Sequence, residues 1–454
     1  MAVKSPLRKV LILSYHYLPM GVISSLRAKG FAENLHHSGW YPTVVTHIWE
    51  GWTSESKRWA FQGPGASVQQ EKNDQFRVIR VPRSKNHART FVAKLYSIKV
   101  LRKVAVILYW LLGHLEATPE DYGSYHDFKS FLFQHLKQES YDALMVIYSP
   151  SHHLKLGAEL SKRFGIPLWF DLRDIWPGNR IARIDYRPNF LERTQDMFYS
   201  YYWRKWFRQC EGFSITSKPW ADILSERIHK PGFVVTNGYE KNLFRGITDY
   251  DSRVFTVAHV GTLYDEQPIT IFFEGISMFI NQKLEADFQV SFVGVNDTMR
   301  RRIEKVASSF GVGKYITCYP RLSRDNALGA MRQAQILFYP PWPTVSGTYS
   351  GKIFEYLASG TCVLIAPGDK GVVDDLLRET QGGVICDTPA EVLQVLNERY
   401  DRWELGEGKW RNDATKVAFY SRENQAMRLA QLLGQCLKSP LNEQHDKKEF
   451  RNLN

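Results

Sequence analysis

Residues 344–367 read TVSGTYSGKIFEYLASGTCVLIAP, a pattern of loop, helix, turn and strand. Gly347 and Gly351 stand among the small hydroxyl residues Thr344, Ser346, Thr348 and Ser350. Such a loop leaves backbone N–H groups unused and lets a ligand come close. A helix is expected from about Lys352 to Ser359, because Ile353, Tyr356 and Leu357 recur at the spacing of a buried face. Gly360 suits the helix stop, and Cys362 to Ala366 is a short apolar strand. A loop of this kind feeding a helix N-terminus favours anions, through free amides and the helix dipole. Lys352 adds a full positive charge at that end, where it opposes the dipole unless something negative is near. Glu355, one turn on, suits a diol such as a ribose. Phosphate on Lys352 and the loop, with ribose on Glu355, is one reading. A solvated lysine and glutamate on an ordinary amphipathic helix is the other, and spacing alone does not choose.

Strand and helix alternate outward from this stretch in both directions. Phe255–Val260, Phe288–Val293, Tyr315–Tyr319 and Ile336–Tyr339 read as strands, with helices over 299–310, 328–333 and 387–400. That alternation predicts a doubly wound domain over 250–412. Upstream, KVLIL at 9–13 is a buried strand, followed by a loop holding Gly21, a helix from about Leu26 to Ser38, and a second strand at 41–46. This is the opening of another doubly wound domain, 1–240, whose ligands belong at the C-terminal ends of its strands. His152 and His153 follow the strand 141–148, and FDLRDIWPGNR at 170–180 crowds Asp171, Arg173, Asp174 and Trp176 behind the next. Those charges need partners or water, and an Arg173–Asp174 network competes with a binding role. The first loop lacks a GxGxxG pattern, which counts against a nicotinamide-dependent dehydrogenase. A polar linker spans 242–252. An amphipathic helix within 414–437 and a polar tail at 441–454 end the chain.

With 454 residues, 44 % hydrophobic and 23 % charged, the chain has room for two sizeable cores. Its five cysteines form no CxxC pair, so neither zinc nor a disulfide framework is expected, and a reducing compartment fits. No Asp-x-Asp motif suits a metal. The start lacks the pattern of a signal peptide, and no apolar run is long enough to span a bilayer. Net charge is +12, and residues 75–115 hold no Asp or Glu. Lys94, Lys99, Arg102 and Lys103 lead there into an apolar run with Tyr109 and Trp110. That is the composition of a basic amphipathic helix on an anionic membrane, and no RNA-binding motif accompanies it. MFYSYYWRKWF at 197–207 is a second aromatic and cationic stretch, suited to a membrane, to an acceptor or to the core.

SGKIFEYLASG and the strand after it resemble the donor-binding segment of retaining family-4 glycosyltransferases, enzymes of the GT-B fold, and most of all a bacterial branch that builds cell-surface polysaccharides. The D-x-R-D-x-W stretch at 171–176 resembles the same branch, and the likeness runs from about residue 9 to 436. It implies two Rossmann-like domains facing across a cleft, with the C-terminal helix crossing back to the first. In the broad family two glutamates, with seven residues between them, touch the sugar and the ribose. Glu355 matches the second, and Gly347 stands at the place of the first. Many members carry Arg and Lys where this chain has Thr262 and Gln267, which leaves Lys352 as the main diphosphate cation. By the same likeness, Gly21 approaches the diphosphate, Gly261 and Thr262 offer it backbone amides, and His153 lies near the transferred sugar. Tyr319 to Leu322 lies where the base is held.

The implied activity is transfer of a hexosyl or N-acetylhexosaminyl unit from a nucleotide-diphosphate sugar, a UDP-sugar first and a GDP-sugar second, with retention. The implied acceptor is a glycan or a polyprenyl-diphosphate-linked oligosaccharide, met at the cytoplasmic face of the membrane through 75–115. Lys352, His153, Arg173 and Asp174 are the catalytic candidates. Gly21, Gly261, Thr262, Thr348, Ser350, Gly351, Lys352 and Glu355 are the donor contacts. No cofactor, metal or nucleic acid is expected. A non-catalytic scaffold or nucleotide-sugar sensor, and an epimerase on the same fold, are the rivals.

Overall fold

A computed structural model of the chain describes residues 7–52, 67–84, 87–105, 107–108, 124–175, 179–247, 253–407 and 410–437. Trp176 and most of the apolar run after Val104 lie outside these residues. The chain forms two units: one of 1–181, 186–236 and 422–454, the other of 182–185 and 237–421.

Among the described residues, the first unit is built on eight strands: β1 (Arg8–Ser14), β2 (Trp40–His47), β3 (Gln69–Lys72), β4 (Arg77–Val81), β5 (Ala143–Tyr148), β6 (Leu168–Leu172), β7 (Cys210–Ile215) and β8 (Gly232–Val234). Their order is β3-β4-β2-β1-β5-β6-β7-β8, and only β3 runs antiparallel to its neighbour. Val10–Leu13 of β1 and all of β5 are apolar, because helices cover both faces of a parallel sheet. The winding reverses between β1 and β5, so the loops after these two strands flank the crevice where doubly wound sheets bind ligands. The helix Arg422–Cys436 returns to this unit. It buries Ala426, Leu429 and Leu433 in one cluster with Ala28 and Phe31 of the first helix, Ile23–Asn34, and with Leu35 just after it. Ala414–Phe419, within the stretch read as one returning helix, is instead a separate short helix of the second unit.

The second unit holds six parallel strands: β9 (Phe255–Val260), β10 (Phe288–Val293), β11 (Ile316–Tyr319), β12 (Ile336–Tyr339), β13 (Cys362–Ile365) and β14 (Gly383–Ile385). They lie in the order β11-β10-β9-β12-β13-β14. Two cores sandwich the sheet, one around Phe272, Phe292 and Phe338, the other around Leu337, Ile353 and Leu357. Here the winding reverses between β9 and β12. The loops leaving them are Gly261–Thr262 and the stretch 340–350, both singled out above. Among the described residues, no helix is long and apolar enough to cross a membrane.

Candidate functional site

The helix Gly351–Ser359 starts where the β12 loop ends and stops at Gly360, whose φ of 73° is left-handed. Ile353, Phe354, Tyr356 and Leu357 bury its inner face. The Tyr356 hydroxyl donates to the Val260 carbonyl (3.0 Å) and accepts from the Val260 amide (2.6 Å), which pins the helix start beside the end of β9. Burial raises the tyrosine pKa, so the phenol stays a donor.

The helix start is poor in internal partners. Ser350 occupies the N-cap, but its side chain makes no capping bond. Its amide donates to the Tyr339 hydroxyl (3.3 Å). Buried Ser350 Oγ and Thr348 Oγ1 have no hydrogen-bond partner among the described residues. A buried hydroxyl left unpaired costs about 1–3 kcal/mol, so two of them at a helix N-terminus call for an external partner. Oxygen-rich, anionic groups fit best, since the dipole favours negative charge there.

Lys352 folds back over the β9 exit. Its Nζ donates to the Thr262 carbonyl (2.6 Å) and to His259 Nε2 (3.3 Å). His259 is fully buried in β9, and its Nδ1 lies 3.1 Å from the Phe338 carbonyl. A carbonyl can only accept, so Nδ1 carries the proton and Nε2 presents its lone pair to the lysine. Burial, followed by the lysine charge, holds the imidazole pKa well below its ordinary value and keeps the ring neutral. Lys352 as a residue is half-buried, yet its ammonium sits deep, and burial pushes its pKa down to about 7. Gly261 makes room for it. Its φ is +118°, and a Cβ there would meet Lys352 Cε at 3.3 Å and Nζ at 3.4 Å.

One expectation for this site is corrected. The Gly261 amide is not available to a ligand, because it donates to the Val293 carbonyl at 2.8 Å. Glu355 has a partner of its own: Arg324 holds its carboxylate with two bonds of 2.6 and 3.1 Å, which leaves further lone pairs on both oxygens. Thr262 contributes its carbonyl to Lys352. Gln267 is buried and structural, with its side chain bonded to the Pro340 carbonyl and the Tyr264 amide. His259 and Arg324 were missed in the sequence. A histidine inside an otherwise apolar strand, two residues before a glycine, was a readable signal; nothing in spacing joined Arg324 to Glu355 over 31 positions. Next to Arg324, a cleft of about 560 Å3 runs from Val293, Tyr319 and Leu322 at the strand ends to Thr256 and Gln289 near their starts.

The first unit sorts its candidates differently. Asp171 is wholly buried and bound bidentate by Arg27 at 2.7 and 2.7 Å. Ser214 donates to the same carboxylate at 2.6 Å. Arg27 also donates to the Val235 and Thr236 carbonyls, at 2.9 Å each. Every charge in this cluster is met from within. Arg173 and Asp174 bond each other and are partly exposed. Gly21 lies in an exposed turn with open space around it. His153 is the second residue of the helix His152–Phe164 and is fully buried, ringed by Tyr15, Phe128 and His152. Neither ring nitrogen has a partner among the described residues, and burial, followed by His152, His47 and His16, keeps its pKa well below the ordinary value. Among the described residues, no cluster of His, Cys, Asp or Glu could hold a metal ion.

Compared by sequence, the chain matches no family model and no curated protein. Compared by structure, it is similar to a glycosyltransferase from Rickettsia africae ESF-5, at 12 % identity and a TM-score of 0.60, covering 96 % of this chain and 100 % of that one. It is similar to sucrose-phosphate synthase from Thermosynechococcus elongatus at 14 % identity and 0.59, covering 95 % and 100 %. A UDP-forming trehalose-phosphate synthase from Burkholderia xenovorans, solved with glucose-6-phosphate, matches at 10 % and 0.56, covering 95 % and 100 %. The fold is therefore that of the GT-B proteins, two Rossmann-like domains with a C-terminal helix returned to the first.

Proposed function

We propose that this chain is a glycosyltransferase that binds a nucleotide-diphosphate sugar at the β9/β12 switch point of its second unit. The observation that carries the reading is the start of the Gly351–Ser359 helix. There, two buried hydroxyls lack partners, and the ammonium of Lys352 on the same first turn is embedded against the end of β9. A diphosphate supplies both what the hydroxyls lack and the negative charge that Lys352 needs. The leaving diphosphate gathers charge as the sugar departs, and Lys352 with the helix terminus stabilises that charge without rearranging. No side chain acts as a covalent nucleophile in this reading. Reaction occurs with retention, and the departing phosphate oxygen takes the proton of the acceptor hydroxyl.

Glu355, oriented by Arg324, receives the ribose, and the neighbouring cleft at Tyr319 and Leu322 receives the base, uracil before guanine. Thr348, Ser350 and the Gly351 amide complete the diphosphate cradle. His153, a neutral imidazole with both nitrogens unspent, suits a sugar hydroxyl. Arg173 and Asp174 line the acceptor side. The fold likeness supports a transferase of this class. The assignment to a family-4-like branch acting in surface polysaccharide synthesis rests on the sequence resemblance. So does a lipid-linked acceptor. Membrane contact through 75–115 is supported by the exposure of Phe91, Ile98, Val100 and Val104 among its lysines and arginines.

A second reading, a non-catalytic nucleotide-sugar sensor, draws on Gly347 at the place of the family's first glutamate and on the structural bonds of Gln267. Thermal shift with UDP-, GDP-, ADP- and dTDP-sugars, with Lys352→Ala and Glu355→Ala alongside, tests the site. Stabilisation by one nucleotide series, lost in both variants, is expected. No stabilisation by any series would overturn the reading. Slow hydrolysis of the bound donor separates the enzyme from the sensor.

A further inference from the structure

The helix Phe190–Phe207 has two unlike faces. Inward it buries Tyr199, Trp203, Trp206 and Phe207, with Trp203 stacked on Phe207 at 5.3 Å. This is core packing, and it fixes which residues must point away. Outward it exposes Phe190 (80 %), Met197 (73 %), Tyr201 (63 %) and Phe198. Arg193, Arg204, Lys205 and Arg208 are exposed at the same three- and four-residue spacing, so they share that face.

The exposed face holds no carboxylate among the described residues. Glu192 is half-buried and accepts from the Asn189 amide, while Asp196 is buried and accepts from the Tyr186 hydroxyl. None of the four cations pairs with an acid among the described residues. Beside them a cleft of about 660 Å3 is lined by Met197, Tyr201, Arg204, Lys205, Arg208 and Arg227, with Ser200 and the buried carboxylate of Asp196 also in its wall.

Large apolar side chains held in water on one stripe mark a docking face. The stripe is about 22 Å long from Phe190 to Lys205, at 1.5 Å per residue. Its composition narrows the partner. Phenylalanine, methionine and tyrosine suit the boundary between head groups and acyl chains, and unpaired arginines suit a dense layer of phosphates. A folded protein partner would have to supply a matching row of acids beside an apolar groove, whereas a bilayer of acidic lipids supplies both along its whole surface.

We propose that this face of the Phe190–Phe207 helix docks on an anionic phospholipid membrane. Phe190, Met197 and Tyr201 enter the acyl boundary, and Arg204, Lys205 and Arg208 bind lipid phosphates. The docking does not depend on the transfer reaction, and it is a contact separate from that of 75–115.

The test uses the full chain with an environment-sensitive fluorophore on Met197→Cys or, separately, on Val100→Cys in the other basic segment, with the labelled unsubstituted chain as background. Vesicles of phosphatidylcholine with phosphatidylglycerol are compared with pure phosphatidylcholine. A blue shift at position 197 on the anionic vesicles alone is expected. The triple change Arg204→Gln, Lys205→Gln, Arg208→Gln should lower vesicle partition roughly a hundredfold, about fivefold per cation. A shift at position 100 with none at 197 overturns this docking and leaves the 75–115 contact standing. No shift at either position overturns both. Equal shifts on neutral and anionic vesicles overturn the role of the cations. A shift at 197 that grows with protein concentration without vesicles assigns the face to a second copy of the chain and overturns the proposal.

Discussion

Two polar clusters, one in each unit, look alike in sequence and differ in the structure. Arg27 and Asp171 are buried charges beside strand ends, and so is the Lys352 ammonium with its neighbours Thr348 and Ser350. In the first cluster both charged groups are paired inside the unit, and Asp171 alone accepts from Arg27 and Ser214. In the second, two hydroxyls find none and the ammonium is held by neutral acceptors only. A saturated network has nothing left to give a ligand, so it acts as a fastener. It ties the first helix to β6 and to the chain leaving β8, where Gln425 of the returning helix also bonds the Thr236 amide. An unsaturated network is unstable by itself and becomes satisfied by what it binds.

The sharpest way to break this comparison is to remove one partner from each cluster. Asp171→Ala leaves the buried guanidinium unpaired and should cost about 3–5 kcal/mol of stability, read from urea denaturation of the unliganded chain. If Asp171→Ala unfolds at the same urea concentration as the parent, the network is not the fastener described. Lys352→Ala should leave that stability intact and lower kcat/KM for donor transfer about a hundred- to a thousandfold. Its folded-state pKa is depressed, so the free protein favours the neutral amine and gains stability as pH rises from about 7 toward the ordinary 10.5. Lys352→Met should therefore raise the melting temperature at neutral pH.

Donor binding follows the opposite sign, because the diphosphate needs the charged amine. Affinity measured by calorimetry should fall about tenfold between roughly pH 6 and 8, as a group titrating near 7 loses its proton. A flat profile would show that Lys352 does not meet the diphosphate. His259→Leu removes one acceptor of the ammonium and should move the midpoint of this profile to lower pH. The smallest effects belong to the unpaired hydroxyls. Thr348→Val and Ser350→Ala should each weaken donor binding about fivefold while raising the melting temperature of the free chain. A drop in melting temperature without a change in affinity would make them structural.

Much of the fold was legible, because parallel strands buried on both faces are written as apolar runs and their helices as periodic ones. KVLIL, FTVAHV and ILFY announce β1, β9 and β12, and the 344–367 reading holds to within a residue at the helix start. The site was legible in part. Lys352 and the hydroxyl loop stood out because a cation opposes the dipole at a helix start, a local effect that sequence records. Arg324 on Glu355, the committed Gly261 amide and the embracing pair of His259 and Thr262 did not stand out. Each joins residues 31 to 93 positions apart, or depends on which way a single amide points.

By itself, then, the sequence determined two doubly wound units, their winding signals and a loop–helix start suited to an anion, since these follow from side-chain periodicity and local dipoles. Only the tertiary structure decided which charged residues are already spent and which remain to bind. That depends on strand order: β9 beside β12 brings Gly261, His259 and Lys352 together, and β1, β6 and β8 close around Arg27 and Asp171. Hydrogen-bond saturation is a property of neighbours in space, and two sequences with the same local pattern could fill it in opposite ways.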